Sequence, residues 1–182
     1  HQTSERLCDF DVMETLRALL ASLHPVTRRV PVRPMLGGPR KLPARGYPGA
    51  LMQVLTNLIM NSVNHAFREV ASPAIVIDVR EGEQEWELVY SDNGVGVPLD
   101  LQPRIFEPFF TRKAGGSGLG LAVVQAVIQS HQGQIRYLLP AERPTGQLSG
   151  ACFAITLPLM TPAVKSRAAL KTKQLQQETS HV

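Results

Sequence analysis

Two short runs, AIVIDVR at 74–80 and EWELVYSD at 85–92, constrain this chain more than any other feature. Each alternates apolar and polar residues with the two-residue period of a strand, and only EGEQ separates them, so they predict an antiparallel β-hairpin. Ile75, Ile77 and Val79 share one side of the first strand; Trp86, Leu88 and Tyr90 share one side of the second. Leu51, Leu55, Leu58, Ile59, Val63 and Ala66 recur at helical spacing and define an amphipathic helix. Within it, TNLIMNSVNHAF at 56–67 places Asn at 57, 61 and 64, although Asn costs up to about 0.7 kcal/mol against Ala in a helix interior. Gln53, Asn57, Asn61 and His65 follow one another at intervals of four and form one stripe, with Asn64 beside it. Solvated faces usually carry Lys and Glu. A stripe of amides suits a face that meets a ligand, with a solvated helix face as the simpler reading.

The remaining chain supplies further elements around this pair. FDVMETLRALLASLH, at 10–24, predicts a first helix from the spacing of Val12, Leu16, Leu19, Leu20 and Leu23, with Asp11 or Asp9 as N-cap. Pro25 to Pro48 is rich in Pro, Gly and Arg, with short strands suggested at RRVPVRP and RKLPARG. A long loop runs from Gly94 to Gly118. LAVVQAVIQSHQ then reads as an apolar helix closed by Gly133 in the left-handed conformation, and QIRYLL and GACFAITLP read as two more strands. From Met160 the chain has few large apolar residues and reads as a linker or tail.

Composition narrows the function. A chain of 182 residues with 43% apolar and 19% charged residues suits one domain with a real core. The net charge of +4 comes from scattered Lys and Arg with no interleaved aromatics, which argues against a nucleic-acid partner. Cys8 and Cys152 lack metal-ligand spacing, and no apolar stretch is long enough to span a membrane. A reducing, cytoplasmic setting is the expectation, either for a free protein or for the cytosolic part of a membrane-anchored one.

Two glycine-bearing segments carry the chemistry. SDNGVGVP, at 91–98, follows a strand; Asp92 can accept a hydrogen bond from an exocyclic amine, while Gly94 and Gly96 let backbone approach a flat ligand, so the segment suits adenine. A plain turn is its simpler reading. GGSGLGLAVV, at 115–124, runs from glycines straight into a helix, an arrangement that favours phosphate. It lacks the preceding strand and later acid of a dinucleotide fingerprint and the Gly-Lys-Ser/Thr of a Walker loop. Mg²⁺ keeps several waters and takes only one or two protein oxygens beside phosphates. An Asn amide oxygen is such a ligand, and Asn61 is the candidate, with Asn57 one turn away and Asn64 and His65 one turn beyond, within reach of the phosphates.

In this order the pieces resemble the ATP-binding catalytic domain of bacterial sensor histidine kinases. QVLTNLIMNSVNHAF is similar to the family's N box, SDNGVGVP to its first glycine box, RIFEPFFTRK to its F box and GGSGLGLAVVQAVIQSHQGQI to its second glycine box. The resemblance implies an α/β (α+β two-layer) sandwich, with helices on one face of a mixed, largely antiparallel sheet, the Bergerat-type ATP-binding fold. It implies ATP and Mg²⁺ as cofactors, Asn61 as the metal ligand, and Asn57, Asn61 and His65 as the catalytic set. Asp92 would bind the adenine amine. Gly94, Gly96, Gly116, Gly118 and Gly120, with Ser117, Leu119 and Leu121 of the same box and Thr156 on the last strand, would contact nucleotide or hinge a lid. Phe106, Phe109 and Phe110 would pack that lid, or simply the core, and Arg112 and Lys113 would reach phosphates or stand as solvated lid charges.

The organisation this implies is a connector at 1–9, the catalytic domain at 10–159 and a tail at 160–182. Kinases of this family phosphorylate a His, usually followed by an acid, on a separate dimerisation hairpin. None of His1, His24, His65, His131 and His181 is followed by an acid, so the partner hairpin is expected elsewhere, with a response regulator receiver domain downstream of it. Related ATPases carry a general-base Glu four residues before the metal-binding Asn. This chain has Asn57 there, and an amide cannot take a proton at neutral pH. The alternative function is a degenerate domain that binds nucleotide only to change its contacts with the hairpin.

Overall fold

The computed structural model describes residues 6–111 and 117–159. In chain order its elements are β1 (Cys8–Asp11), α1 (Val12–Thr27), β2 (Met35–Gly37), β3 (Pro43–Gly46), α2 (Pro48–Asn61), β4 (Ile75–Glu81), β5 (Glu85–Asp92), α3 (Gly120–Ser130), β6 (Gln134–Tyr137) and β7 (Cys152–Pro158). The expected hairpin is present, with Ile75 opposite Asp92 and Glu81 opposite Trp86. It lies inside a five-stranded sheet of order β2-β4-β5-β7-β6, in which only β2 and β4 are parallel. β1 and β3 form a separate antiparallel pair.

One face of the large sheet is buried by the helices. Ile75, Ile77, Val79, Trp86, Leu88 and Tyr90 meet Val12, Met13, Leu16 and Leu19 of α1, Leu51, Val54, Leu55, Leu58 and Ile59 of α2, and Val124 and Ile128 of α3. Each such side chain contributes about 1.5–3 kcal/mol by leaving water, so this layer dominates the stability. The sandwich expected from the sequence is therefore the fold observed.

The opposite face is not left to solvent at its centre. Val89, Leu138, Cys152 and Ala154 make a second small cluster under the segment that joins β6 to β7. Arg143 holds that segment, donating to the carbonyls of Leu138 (3.3 Å), Leu148 (2.7 Å) and Gly150 (2.8 Å). Burial pushes the Cys152 thiol up to about 11, with Arg143 opposing and Asp92 adding to the rise. An alkylating reagent at pH 8 is expected to modify exposed Cys8 and spare Cys152 until the protein is unfolded. The folded state also prefers the neutral thiol. Its contribution is complete below the ordinary value of 9.0 and is lost as pH rises toward 11, so the urea midpoint should fall across that window.

Several boundaries differ from expectation. Cys8 and Asp9, placed in the connector, pair with Gly46 and Arg45, so the folded unit starts before residue 10. α1 begins at Val12 because Asp11 caps it, its carboxylate accepting from the N–H groups of Met13 (2.9 Å) and Glu14 (3.1 Å). It runs through Pro25 to Thr27, since a proline near a helix end removes only one late hydrogen bond. RRVPVRP forms no strand; β2 follows it at Met35. At the end of α3 the left-handed residue is Gln132 (φ 59°), and the amides of Gln132 and Gly133 bond back to the carbonyls of Gln129 and Ile128. Gly133 is required for another reason: a Cβ there would lie 2.4 Å from the Thr156 carbonyl.

Candidate functional site

The amide stripe opens onto a cleft of about 410 Å³ between α2 and the start of α3. Asn57, Asn61 and His65 line one wall, Gly118, Gly120 and Leu121 the other, and Asp92 with Tyr90 lies at the base. α2 does not continue as an α-helix through the stripe. Ser62–Ala66 form a π-turn, a wider coil that is frequent at functional sites. This turn is clamped at both ends, by Ser62 on Asp92 and by the amide of Val95 on the carbonyl of Ala66 (3.1 Å). Asn57 donates its Nδ2 to the Gln53 carbonyl (3.2 Å). A methyl group at Gly120 would come within 3.5 Å of Asn61 Oδ1, 3.7 Å of Asn61 Nδ2 and 3.9 Å of Asn57 Oδ1, so both side-chain amides border the glycine that opens α3.

Asp92 is 2% exposed and is held by four residues from three segments of the chain. Its Oδ1 accepts from the amides of Gly94 (3.0 Å) and Ala151 (3.1 Å), and its Oδ2 accepts from the Ser62 hydroxyl (2.6 Å). Its own amide donates to the Ala151 carbonyl (3.0 Å), and its carbonyl accepts from the Gly150 amide (2.8 Å). Asn93 fastens the same loop from outside, accepting from the Ala74 amide (2.7 Å) and donating to the Ser72 carbonyl (2.8 Å). Gly94 is needed because a Cβ would lie 2.4 Å from that of Ala66, and Gly96 takes a left-handed φ of 68°.

Not every expected residue lies on the cleft. Asn57, Asn61, His65, Asp92, Gly96, Ser117, Gly118, Gly120 and Leu121 line it, and so does Phe110. Gly94 acts from behind as a spacer, and Phe106 stands edge-on to Phe153 at 6.3 Å, supporting the wall without lining it. Asn64 is exposed and is not among the lining residues, and Leu119 lies exposed in the N-cap position of α3. Phe109 is exposed with φ of 63°. Thr156 is a correction. β7 runs antiparallel to β5, so Cys152 is next to Ser91 at the Asp92 end while Thr156 pairs with Glu87 and borders a polar hollow with Gln125 and Gln129. Arg112, Lys113 and Gly116 lie outside the described residues. Ser62, Tyr90, Gly150 and Ala151 carry no signal in the sequence: Ser62 is a small residue inside a polar stretch, Tyr90 reads as part of the apolar side of its strand although its hydroxyl meets Ser62, and Gly150 and Ala151 act through backbone.

Three helices on one face of a mixed sheet, with a cleft between an amide-bearing helix and a glycine-opened one, define a two-layer α/β ATPase fold. The chain belongs to the Histidine kinase-, DNA gyrase B-, and HSP90-like ATPase family, whose model matches residues 46–161, more than half of its length. Signal transduction histidine-protein kinase AtoS of Escherichia coli (strain K12) is 40% identical over 111 residues, covering 60% of this chain and 17% of that protein. Sensor histidine kinase ZraS of Klebsiella oxytoca is 40% identical over 113 residues, 62% of this chain and 22% of that protein. This chain thus spans about a fifth of these curated relatives. The catalytic domain of histidine kinase ThkA superposes with a TM-score of 0.71 at 24% identity, covering 85% of this chain and 97% of that one. Full-length ShkA, solved in complex with AMPPNP, gives 0.69 at 20% identity over 90% of this chain and 33% of that one. ThkA has also been solved in complex with response regulator protein TrrA, with a TM-score of 0.68 at 20% identity over 85% of this chain and 42% of that one. At these identities the structures support the fold.

Proposed function

We propose that this chain is the catalytic, ATP-binding domain of a two-component sensor histidine kinase, serving a histidine on a separate dimerisation hairpin and, through it, an aspartate of a response regulator receiver domain. The observation that carries this reading is the cleft, where Asn57, Asn61 and His65 stand opposite Gly118 and Gly120 with Asp92 at the base. Asp92 accepts the adenine amine. The amides at the start of α3 hold phosphate oxygens with the aid of the helix dipole.

The donor set fits a magnesium ion carried by nucleotide. Among the described residues no group of three or more His, Cys, Asp or Glu that could hold a metal ion is present, whereas the side-chain amide of Asn61 borders Gly120 at the start of α3. Asn61 would hold the ion as one of few protein ligands, the rest being phosphate oxygens and water. When bound, the Mg²⁺ nucleotide supplies the phosphoryl group and neutralises its charge. The protein supplies position. Asn57 and His65 line the same wall, and Arg112 and Lys113 are assigned to the phosphates. A neutral imidazole acceptor is already a competent nucleophile, so this chain needs no general base of its own.

The proposed setting is cytoplasmic; among the described residues no helix is long and apolar enough to cross a membrane. Residues 160–182 are assigned as linker or tail. Transfer of labelled γ-phosphate from ATP to a supplied hairpin tests the reading: labelling of its histidine is expected, and firm ATP binding without transfer would favour a nucleotide-regulated binder instead. Because Asn57 stands where a basic carboxylate would activate water, ATP hydrolysis by this chain alone should be negligible in a phosphate-release assay. Rapid turnover that disappears in Asn57→Ala would contradict that assignment.

A further inference from the structure

The cleft base contains a buried hydroxyl pair to which the nucleotide chemistry above gives no role. Ser62 and Tyr90 are 2% and 1% exposed, and both line the cleft beside Asp92. Ser62 Oγ lies 2.6 Å from Asp92 Oδ2 and 2.6 Å from Tyr90 Oη, and Tyr90 Oη lies 3.2 Å from the Leu58 carbonyl. Counting hydrogens settles the directions. A carboxylate only accepts, so the single Ser62 hydrogen goes to Oδ2. The hydrogen between the two hydroxyls must then come from Tyr90, with the Leu58 carbonyl as its second acceptor. Burial pushes the Tyr90 phenol far above its ordinary range, so that hydrogen is retained.

Both hydroxyl hydrogens are consequently spent inside the group, and the base of the cleft offers no side-chain donor of its own. Asp92 Oδ1 is occupied by the amides of Gly94 and Ala151, which leaves acceptor capacity on Oδ2. We propose that the Tyr90–Ser62 pair is a specificity-determining element that holds Asp92 as a pure acceptor oriented for an exocyclic amine, so that the cleft selects amino-purine nucleotides. This rests on the nucleotide reading of the cleft. Ser62 and Tyr90 are positioning residues: they act on the base through Asp92. Without Ser62, Tyr90 turns to the Leu58 carbonyl and the carboxylate is held from one side only. Without the Tyr90 hydroxyl, Ser62 keeps its bond to Oδ2 but loses the donor that fixes its own orientation.

The test is calorimetric titration of the whole chain with a non-hydrolysable ATP analogue and with its purine riboside counterpart, which lacks only the exocyclic amine. Wild type should prefer the amine-bearing nucleotide about tenfold, as a hydrogen bond to a charged group requires. Ser62→Ala should remove most of that preference, Tyr90→Phe should reduce it, and Ser62→Thr, which keeps the hydroxyl, should retain it. An unchanged preference in both Ser62→Ala and Tyr90→Phe overturns the proposal while leaving the nucleotide site intact. Equal weakening toward both nucleotides also overturns it, because that is what a merely structural role produces. If Ser62→Ala does not fold, Tyr90→Phe against Ser62→Thr decides by the same criterion. Folded wild type that binds neither nucleotide sinks the nucleotide reading itself, and this inference with it.

Discussion

Gly150→Ala should destabilise the protein by about 3 kcal/mol, more than its single methyl group suggests. A Cβ at this position would lie 2.4 Å from Asp92 Oδ1, 2.5 Å from the Gly94 amide nitrogen and 2.7 Å from the Asp92 carbonyl. Two of those neighbours are backbone, and none can move alone. Gly150 also donates to the Asp92 carbonyl at 2.8 Å, and its own carbonyl is held by Arg143. Retreat of the β6–β7 segment would uncover the small cluster around Val89 and Cys152 and pull the Ala151 amide from the Asp92 carboxylate. A loss of this size corresponds to a fall in Tm of about 6–12 °C for a chain of this length. Nucleotide affinity should fall as well, since the substitution disturbs the grip on Asp92. Differential scanning calorimetry checks the first expectation; a Tm within a degree of wild type would mean that the segment has room that the structure does not show.

The second large effect is expected for Asp92→Ala, with nucleotide affinity reduced about a hundredfold. One hydrogen bond to a charged acceptor accounts for roughly 1.5–3 kcal/mol, which is about one to two decades of affinity. The rest comes from the site itself: the amides of Gly94 and Ala151 and the Ser62 hydroxyl all lose their acceptor, so the glycine loop is no longer fixed against α2 and β7. Asp92→Asn separates the two contributions. Its oxygen can still accept from Gly94 and Ala151, so stability should be largely kept, while its NH₂ group on the Ser62 side turns a donor toward an incoming amine. Binding should remain weak although the fold survives. Near-normal affinity in Asp92→Asn would remove Asp92 from the nucleotide site.

The sequence disclosed those features that depend on periodicity or on residue type at fixed spacing. The alternation in 75–79 and 86–90 became the central hairpin, and the amide stripe became one wall of the cleft. What remained hidden depends on chain segments distant in sequence. Ser62 lies 30 positions from Asp92 and 28 from Tyr90, and Ala151 lies 59 from Asp92, so no local pattern announces that Ser62 and Ala151 converge on one carboxylate with Tyr90 behind Ser62. Thr156 was misplaced for the same reason, since its end of β7 is fixed by antiparallel register with β5. Gly133 does mark the helix end, yet the left-handed residue is its neighbour Gln132, and glycine at 133 answers instead to the close Thr156 carbonyl. The π-turn at Ser62–Ala66 has no sequence signature; it accompanies contacts with Asp92 and Val95.

The proposed function rests on a magnesium nucleotide binding between α2 and α3 through Asp92 and Asn61. Titration of the wild-type chain with a non-hydrolysable ATP analogue, with and without Mg²⁺, tests it most directly when repeated on Asp92→Ala and Asn61→Ala. Binding should be strengthened by Mg²⁺ and weakened by both substitutions, with the Mg²⁺ dependence lost specifically in Asn61→Ala. A folded wild type that binds no nucleotide, or binding that neither substitution changes, would contradict it.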